Sequence, residues 1–480
     1  MRKILIILAL IFMAAGNVLS RPADSYQDSF LVGNWKGVIQ VGGAKFTFLF
    51  KFTSDVQNEI KGFLDLPEQD EHEIPIDEIK IVGKSVSLDI SKIQRKFEGE
   101  ISIDQKKITG FYIRGGGMRL PLTLEKTDLV FSMNRPQLPQ PPYPYKEEPV
   151  VVVNGKDQTK LAGTLTLPEG AGAFPAIIFI SGSGAQDRDE SMFGHKPFLV
   201  MADYFARRGA AVLRCDDRGA GKSGGSHFAA TTAIMATDIG SMWEYLLTRA
   251  EIDQKKIFLL GHSEGAVIAC LVASQNPRVA GVILLGAPGL SIEENLYLQN
   301  SLIRKAEGAS DEMIAQANVL QRKIFSVVKD AADNAEAQAK LREIFSLKMY
   351  EHLNDSQKKA VDERIAPLLS PYFRDIIKCD PAGYLSKVTC PVFAIIGEKD
   401  LQCPPKENIP ALEKTLRTSG NQSFQIIEME GLNHLLQRAP SGAMSEYASI
   451  EETISPRALA AISDWLFSAK KKSIRPIASR

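Results

Sequence analysis

This chain has few cysteines, no excess of either charge and no long apolar run. Its five cysteines are an odd number in 480 residues, and their spacings match no metal-binding pattern. Lys and Arg together number 57, as do Asp and Glu, so no strongly basic surface for nucleic acid is expected. The apolar run at residues 4–15 falls short of the ~20 residues that cross a bilayer. We therefore expect no metal, no cofactor, no nucleic-acid partner and no stable membrane insertion of the mature chain.

The N-terminus has the layout of a secretory signal peptide. Two basic residues at positions 2–3 precede the apolar run at 4–15, and small residues follow it. We predict that residues 1–20 are removed after export, with a cut near Gly16 as the alternative and an uncleaved anchor as the competing interpretation. A periplasmic or secreted protein is in an oxidising compartment, where a disulfide could form among Cys379, Cys390 and Cys403. The sequence leaves that pairing open.

Residues 25–126 have the pattern of an antiparallel β domain. Phenylalanines at positions 46, 48, 50 and 52 alternate with other residues, which predicts a strand with one aromatic face. Seven or eight short strands separated by turn-like segments predict a small barrel or sandwich. The opening GNWKG at 33–37 is similar to the start of lipocalin-like barrels. A ligand pocket inside it is one interpretation, but a closed structural or substrate-presenting module is favoured because no reactive polar cluster is seen.

A proline-rich stretch at residues 127–149 predicts an extended linker and a domain boundary. After it, short apolar strands alternate with helical stretches over residues 150–470. This alternation predicts a parallel sheet with helices on both faces. Residues from about 290 to 378 have a polar, helical pattern and contain no apolar run typical of a strand. We predict that this insertion is a cap over the carboxyl edge of the sheet, where ligands bind in open α/β sheets.

The segment KIFLLGHSEG at residues 256–265 carries the clearest chemical signal. An apolar strand runs into GHSEG, and an apolar helix follows at once. This is the strand–turn–helix context of a nucleophile elbow, in which glycines permit a sharp turn that exposes the hydroxyl of Ser263. The backbone N–H of Glu264 then lies at a helix N-terminus, where it can bind an oxyanion. An ordinary Gly/Ser turn is the competing interpretation.

A serine nucleophile needs a base, and six histidines make elimination practical. His434 follows the last predicted strand in the segment GLNH and can lean over Ser263. The others lie in the β domain, in loops after the first two parallel strands, beside the serine or in the insertion: His72, His195, His227, His262 and His352. The orienting acid should close an earlier strand, as Asp400 does in GEKD, with Glu398 as the runner-up.

The order Ser263, Asp400, His434 is that of α/β-hydrolases. With the segments SGSGAQDRDES, DDRGAGKSGG, GHSEG, GEKD and GLNHLLQ, residues 150–470 resemble a bacterial α/β-hydrolase of the serine carboxylesterase type. The resemblance covers about two thirds of the chain. It implies an eight-stranded sheet, a helical cap and hydrolysis of small-molecule esters through an acyl-serine. By position, the N–H of Ser183 would join that of Glu264 as an oxyanion donor, with Gly184 as the near alternative.

Two polar segments admit other interpretations. Residues 221–223 (GKS) resemble the end of a phosphate-binding loop, but Asp216 stands where that motif requires glycine. We expect instead a strand-end turn in which Asp216 and Arg218 make structural hydrogen bonds. The acidic stretch 187–190 could line the rim of the pocket, although a solvated charged loop is favoured slightly.

The triad does not decide the substrate. A peptidase, a thioesterase or an acyltransferase would use the same residues. A non-catalytic protein that binds a lipid or glycan is the candidate from another class, and the intact triad argues against it.

Overall fold

The computed structural model describes residues 28–468 except 42–43, 55–59, 68–70, 115–117, 129–133 and 347–348. The predicted signal peptide, residues 1–20, lies outside the described residues. The described residues form two separate sheets, one on each side of the proline-rich stretch. Within them, no helix is both long and apolar enough to cross a bilayer.

The N-terminal sheet is antiparallel and curls back on itself. Its strands are β1 (Gly33–Val41), β2 (Ala44–Ser54), β3 (Ile60–Leu66), β4 (Glu71–Ile76), β5 (Glu78–Val82), β6 (Ser85–Ile90), β7 (Arg95–Ile101), β8 (Lys107–Arg114) and β9 (Met118–Thr127). They pair in the order β4-β3-β2-β1-β9-β8-β7-β6-β5. The two edge strands, β4 and β5, are separated by Asp77 alone, so the ends of the sheet must approach each other. The result is a nearly closed barrel, with nine strands rather than the seven or eight expected.

Apolar side chains fill the interior of this barrel. Phe48, Phe50 and Phe52 are at most 2% exposed and belong to one apolar cluster with Trp35. The predicted aromatic face of the second strand is therefore confirmed. Side chains on this face alternate with outward-facing ones because successive residues of a strand point to opposite sides.

The C-terminal sheet has eight strands. They are β10 (Tyr145–Val153), β11 (Lys160–Pro168), β12 (Phe174–Ile180), β13 (Ala211–Cys215), β14 (Ile252–His262), β15 (Val282–Leu285), β16 (Val392–Gly397) and β17 (Phe424–Met429). They pair in the order β10-β11-β13-β12-β14-β15-β16-β17. Strand β11 is antiparallel to both of its neighbours, and the strands from β13 to β17 are parallel. The predicted fold class, an α/β-hydrolase sheet after a small β domain, is confirmed.

Helices cover both faces of this sheet. They are α1 (Pro197–Ala206), α2 (Thr232–Leu247), α3 (Glu264–Gln275), α4 (Ile292–Ala306), α5 (Asp311–Asp330), α6 (Asn334–Phe345), α7 (Asp355–Ile365), α8 (Pro371–Ile376), α9 (Ala382–Leu385), α10 (Pro405–Thr418) and α11 (Pro456–Ser468). In β12, Ile178 and Ile180 belong to one apolar cluster, whereas Ile177 and Phe179 belong to another. Both faces are thus buried, which explains why the strands are continuous apolar runs. Helices α4 to α8 lie between β15 and β16, where the cap was predicted.

The proline-rich stretch does not behave as a spacer along its whole length. Strand β10 begins at Tyr145, inside the predicted linker, and pairs along its length with β11. Further upstream, Arg135 is 8% exposed and donates to the carbonyls of Phe193, Ala448 and Ile450 at 2.6–2.9 Å. Part of the predicted linker is therefore built into the hydrolase sheet and its loops.

The five cysteines are free thiols. Cys270, Cys379 and Cys403 are buried, and Cys215 and Cys390 are partly buried. The bridge that the sequence left open among the last three is not formed, so apolar burial accounts for these residues.

We predict that Arg135→Ala destabilises the folded protein by about 2–4 kcal/mol, because it removes a buried, charged donor from three partly buried carbonyls. Urea unfolding of the full chain measures this loss. Arg278→Ala is the matched control, because the Arg278 side chain is 61% exposed and makes only a 3.4 Å ion pair. Equal stabilities for the two variants would show that the Arg135 contacts contribute little.

Candidate active site

The turn after β14 brings three backbone segments into close contact. Ser263 has φ +54° and ψ −117°, a strained conformation for a residue with a side chain. A Cβ on Gly261 would lie 2.2 Å from the carbonyl oxygen of Gly265, and a Cβ on Gly265 would lie 2.2 Å from that of Ile180. Both glycines are therefore required by the packing of strand against helix. The N–H of Ser263 donates to the carbonyl of Leu285 at 2.8 Å, which holds the turn against β15.

His434 and Asp400 form a buried pair. His434 Nδ1 lies 2.8 Å from Asp400 Oδ2, and the two side chains are 3% and 0% exposed. Since a carboxylate only accepts hydrogen bonds, Nδ1 carries the proton and Nε2 is left as a base. The other oxygen of Asp400 accepts the N–H groups of Gln402 and Cys403, each at 2.8 Å. These bonds hold the carboxylate in the orientation that fixes the imidazole.

The runner-up acid lies elsewhere. Glu398 accepts the N–H of Gly431 at 2.8 Å, and the acid in contact with the histidine is Asp400. Among these two carboxylates, only Asp400 is placed to orient His434.

Ser263, Asp400 and His434 follow parallel strands β14, β16 and β17, so all three lie at the carboxyl edge of the sheet. Gly286, after β15, has φ +54°, and a Cβ there would lie 2.9 Å from His434 Nδ1. The imidazole therefore sits against backbone beside the elbow. Within the described residues, no hydrogen bond joins the Ser263 hydroxyl to His434. In free hydrolases such bonds often tighten only when substrate is bound.

The two N–H groups predicted to bind the oxyanion, those of Ser183 and Glu264, belong to the loop after β12 and to the elbow, which pack together. Glu264 opens α3, so its N–H is one of those without an intrahelical partner. A Cβ on Gly182 would lie 3.4 Å from Ser263 Cβ, which places the loop after β12 beside the nucleophile. The N–H of Gly182 is already bonded to Glu190 Oε1 at 2.6 Å. That of Gly184 interacts with the phenol of Tyr372.

The chain is similar in sequence to known hydrolases. A family model described as serine aminopeptidase, S33, matches residues 197–369. The esterase EstD of Thermotoga maritima is 25% identical over 292 residues, which is 60% of this chain and 60% of the esterase. The chain thus spans less than two thirds of that relative. An uncharacterized 31.7 kDa protein of Escherichia coli, from the traX-finO intergenic region, is 25% identical over 255 residues, 52% of this chain and 80% of that protein.

A solved structure of Est1E from Butyrivibrio proteoclasticus with bound ferulic acid is 17% identical, with a TM-score of 0.42; the match covers 66% of this chain and 98% of that one. The C-terminal sheet and its helices have the α/β-hydrolase fold, and the chain is similar in sequence to proteins described as hydrolases.

A second buried histidine connects the loops around the elbow. His262 Nδ1 lies 2.9 Å from Glu190 Oε1, and its Nε2 lies 3.1 Å from the carbonyl oxygen of His434. Both partners only accept hydrogen bonds, so the ring donates from both nitrogens and is charged. Burial alone would lower the pKa of His262, but the Glu190 carboxylate outweighs burial and raises the pKa above its ordinary value. The elbow, the loop after β12 and the loop after β17 are thereby joined.

The acidic stretch 187–190 is therefore not the solvated loop that we favoured. Glu190 is 2% exposed and pairs with His262. Arg188 binds both carboxylate oxygens of Asp216, at 2.9 and 2.8 Å. Ion pairs hold the stretch in place, since Glu190 is buried and Arg188 partly buried, where an unpaired charge is costly.

The expected structural role of the turn after β13 is confirmed. Asp216 binds Arg188, and Arg218 binds both oxygens of Asp238, each at 2.7 Å. In the GKS segment, the N–H of Lys222 and the hydroxyl of Ser223 both donate to Asp216, so these polar groups are used within the turn.

Asp217 was missed by the sequence analysis. It lies at the end of β13, and its carboxylate accepts from Ser181 Oγ at 2.7 Å and from the N–H of Gln186 at 3.0 Å. Burial, together with the nearby Glu190 and Glu264 carboxyls, raises the pKa of Asp217 to about 8, although the two hydrogen bonds act to lower it. Protonated Asp217 can donate to Ser181 because a hydroxyl also accepts. The preceding residue, Asp216, has the same sequence context, so no local pattern distinguishes their roles.

A cavity of about 40 Å³ lies behind the loop after β12. Its polar lining includes Ser181, Asp217, His227 and Glu264. His227 is 5% exposed, and within the described residues neither ring nitrogen has a hydrogen-bond partner. Burial and the neighbouring Arg218 lower the pKa of His227 to about 4, so this ring is neutral near pH 7. The cavity has room for water, which would pair with these groups.

We predict that the free energy of unfolding falls less steeply with rising pH in Asp217→Asn than in the unmodified protein. The unfolded carboxyl titrates near pH ~4, whereas the folded one holds its proton up to about pH 8, so the folded state binds more protons between these values. Stability then falls with rising pH, by at most about 1.4 kcal/mol per pH unit. Asparagine is neutral in both states and removes this contribution. Urea unfolding between about pH 5 and about pH 8 measures the slope.

Asp464→Asn, on the exposed face of α11, serves as the control for this measurement. Its slope should match that of the unmodified protein. A slope for Asp217→Asn that is no shallower than the control would mean that Asp217 is ionised in the folded state.

Proposed function

We propose that this protein is an exported serine hydrolase that cleaves carboxylic esters of small molecules through an acyl-serine intermediate. The observation that carries the proposal is the buried 2.8 Å pair of His434 and Asp400, at the same sheet edge as the strained Ser263. A turn with this geometry costs stability, which is typical of a functional site rather than of an ordinary connection. The sequence similarity to the esterase EstD supports the same class of reaction.

In the proposed mechanism, His434 Nε2 removes the proton from Ser263 Oγ while Oγ attacks the ester carbonyl carbon. Asp400 holds the imidazole and stabilises its charged form. The N–H groups of Ser183 and Glu264 donate to the oxyanion of the tetrahedral intermediate. The intermediate collapses to the acyl-serine, and His434 returns the proton to the departing alcohol. Water, activated by His434, then releases the acid and restores Ser263.

Ser183 is proposed as the first oxyanion donor because its neighbours are already engaged. The N–H of Gly182 bonds to Glu190, and that of Gly184 interacts with Tyr372. Within the described part of the chain, the N–H of Ser183 donates no hydrogen bond.

Peptide hydrolysis is the second candidate, because the matching family model is described as a serine aminopeptidase. An amide would use the same nucleophile, base and oxyanion donors, with protonation of a departing amine. Chromogenic acyl esters, thioesters and aminoacyl amides measured side by side separate these activities. The ester proposal requires the highest kcat/KM for an oxygen ester.

We predict that Ser263→Ala lowers ester turnover by about 10⁴–10⁶-fold, because the covalent route is lost. Asp400→Asn should lower kcat by about 10⁴-fold, because the imidazole loses its orientation. Hydrolysis of p-nitrophenyl esters measures both. Glu398→Gln is the matched control for Asp400 and should keep most of the activity. Full activity of Ser263→Ala would exclude the proposed nucleophile.

We predict that the full-length chain, expressed in a Gram-negative host, is exported and begins at Arg21 after cleavage of residues 1–20. Cell fractionation and N-terminal sequencing measure this. A chain that lacks residues 2–20 should stay in the cytoplasm. Recovery of the intact N-terminus from the exported fraction would favour an anchor instead.

A further inference from the structure

Tyr372 reaches from the end of the cap to the residue that follows the nucleophile. It lies in the first turn of α8, is 2% exposed, and its hydroxyl donates to Glu264 Oε2 at 2.5 Å. The turn is held on both sides: Ser370 Oγ accepts the N–H of Phe373 at 3.1 Å, and the N–H of Tyr372 donates to the carbonyl of Phe228 at 3.2 Å. The position of the phenol is thus determined by backbone contacts that do not involve the site.

The same phenol oxygen lies beside the other half of the proposed oxyanion site. It interacts with the Ser183 side chain and with the backbone N–H of Gly184. The two proposed donors come from loops that follow different strands, β12 and β14. Tyr372 therefore contacts both loops through a single oxygen atom, which meets the side chains of Ser183 and Glu264.

The Tyr372 hydroxyl is the hydrogen-bond donor to Oε2 of the Glu264 carboxyl. Glu264 is 4% exposed, and burial raises the pKa of its carboxyl above the usual range. Loss of a hydrogen-bond donor to a buried carboxyl costs folding free energy. We therefore expect the Glu264 carboxyl to move towards another partner when the Tyr372 hydroxyl is removed. Because Glu264 is the first residue of α3, such a movement would displace the N–H that is proposed to bind the oxyanion.

We propose that Tyr372 is a positioning residue that holds the N–H groups of Ser183 and Glu264 at the separation required by an oxyanion. This inference rests on the proposed function. Tyr372 itself does not touch the reacting atoms. It acts through the Glu264 carboxyl on one side and through the Ser183–Gly184 loop on the other, and it links the cap to the chemistry.

A purely structural role for the ring is the competing interpretation. The Tyr372 ring lies 4.5 Å from the His227 ring, so it also packs against the wall of the cavity. Tyr372→Phe keeps this packing and removes the hydroxyl alone. Tyr145→Phe is the matched control, because Tyr145 is 7% exposed and its hydroxyl donates to Asp203 at 3.0 Å, away from the proposed oxyanion donors.

The decisive measurement compares kcat, KM and inhibition by an alkyl trifluoromethyl ketone, whose adduct with serine carries an oxyanion. For Tyr372→Phe we expect kcat to fall by about tenfold to a hundredfold, somewhat less than for loss of a whole donor. KM should stay within about twofold, because the donors act mainly in the transition state. The ketone Ki should rise by the factor by which kcat/KM falls. Tyr145→Phe should change none of the three.

Glu264→Gln and Glu264→Ala give an independent check, because only the amide can still accept from Tyr372. Glutamine should therefore keep more activity than alanine. Equal losses in the two variants, or a lower kcat of Tyr372→Phe with an unchanged ketone Ki, would overturn the inference.

Fluorophosphonate labelling separates this inference from the proposed function, because it needs no known substrate. If Ser263 of the unmodified protein is labelled and Tyr372→Phe is labelled at the same rate, the positioning role is wrong and the hydrolase proposal stands. If Ser263 of the unmodified, folded protein reacts with neither the fluorophosphonate nor the trifluoromethyl ketone, the proposed function is wrong. The inference, which rests on that function, is then wrong as well.

Discussion

The site depends on one buried ion pair, between Glu190 and His262. Glu190 Oε1 accepts from the N–H of Gly182 and from His262, and His262 donates in turn to the carbonyl of His434. Loops that follow three different strands are thus tied together through two side chains. If either side chain were removed, the other would remain buried without its partner, which is strongly destabilising in protein interiors. The elbow and the loops of the proposed base and oxyanion donors therefore share a common support.

A second set of buried polar contacts extends this support to the outer loops. His195 Nε2 donates to the carbonyl of Tyr447 at 3.1 Å, and its Nδ1 is hydrogen-bonded to Thr453 Oγ1 at 2.9 Å. Arg135 binds carbonyls in the same loops. Residues before the hydrolase sheet thus stabilise the segment that follows the catalytic histidine candidate. These contacts link positions more than 250 residues apart in sequence.

Much of the architecture follows from local patterns. Apolar runs of strand length predicted the parallel sheet, and their opposite faces do enter two separate cores, as Ile177 and Ile178 show. The proposed nucleophile, base and acid were predicted because each follows a strand, and parallel strands bring such ends to one edge. Glu190 and Tyr372 could not be found in this way. Glu190 resembles any residue of a charged loop, and Tyr372 meets Glu264 across 108 positions with no periodic relation between them.

The amino-acid sequence by itself determined the strands, the elbow and the order of the proposed triad, because these follow from hydrophobic spacing and from glycines that only a sharp turn needs. The tertiary structure alone decided which charges are buried and with which partners. Asp216 and Asp217 are neighbours after the same strand, yet one pairs with Arg188 and the other binds Ser181. The difference arises because desolvation and Coulomb energies depend on distances in space, and separation along the chain does not define those distances.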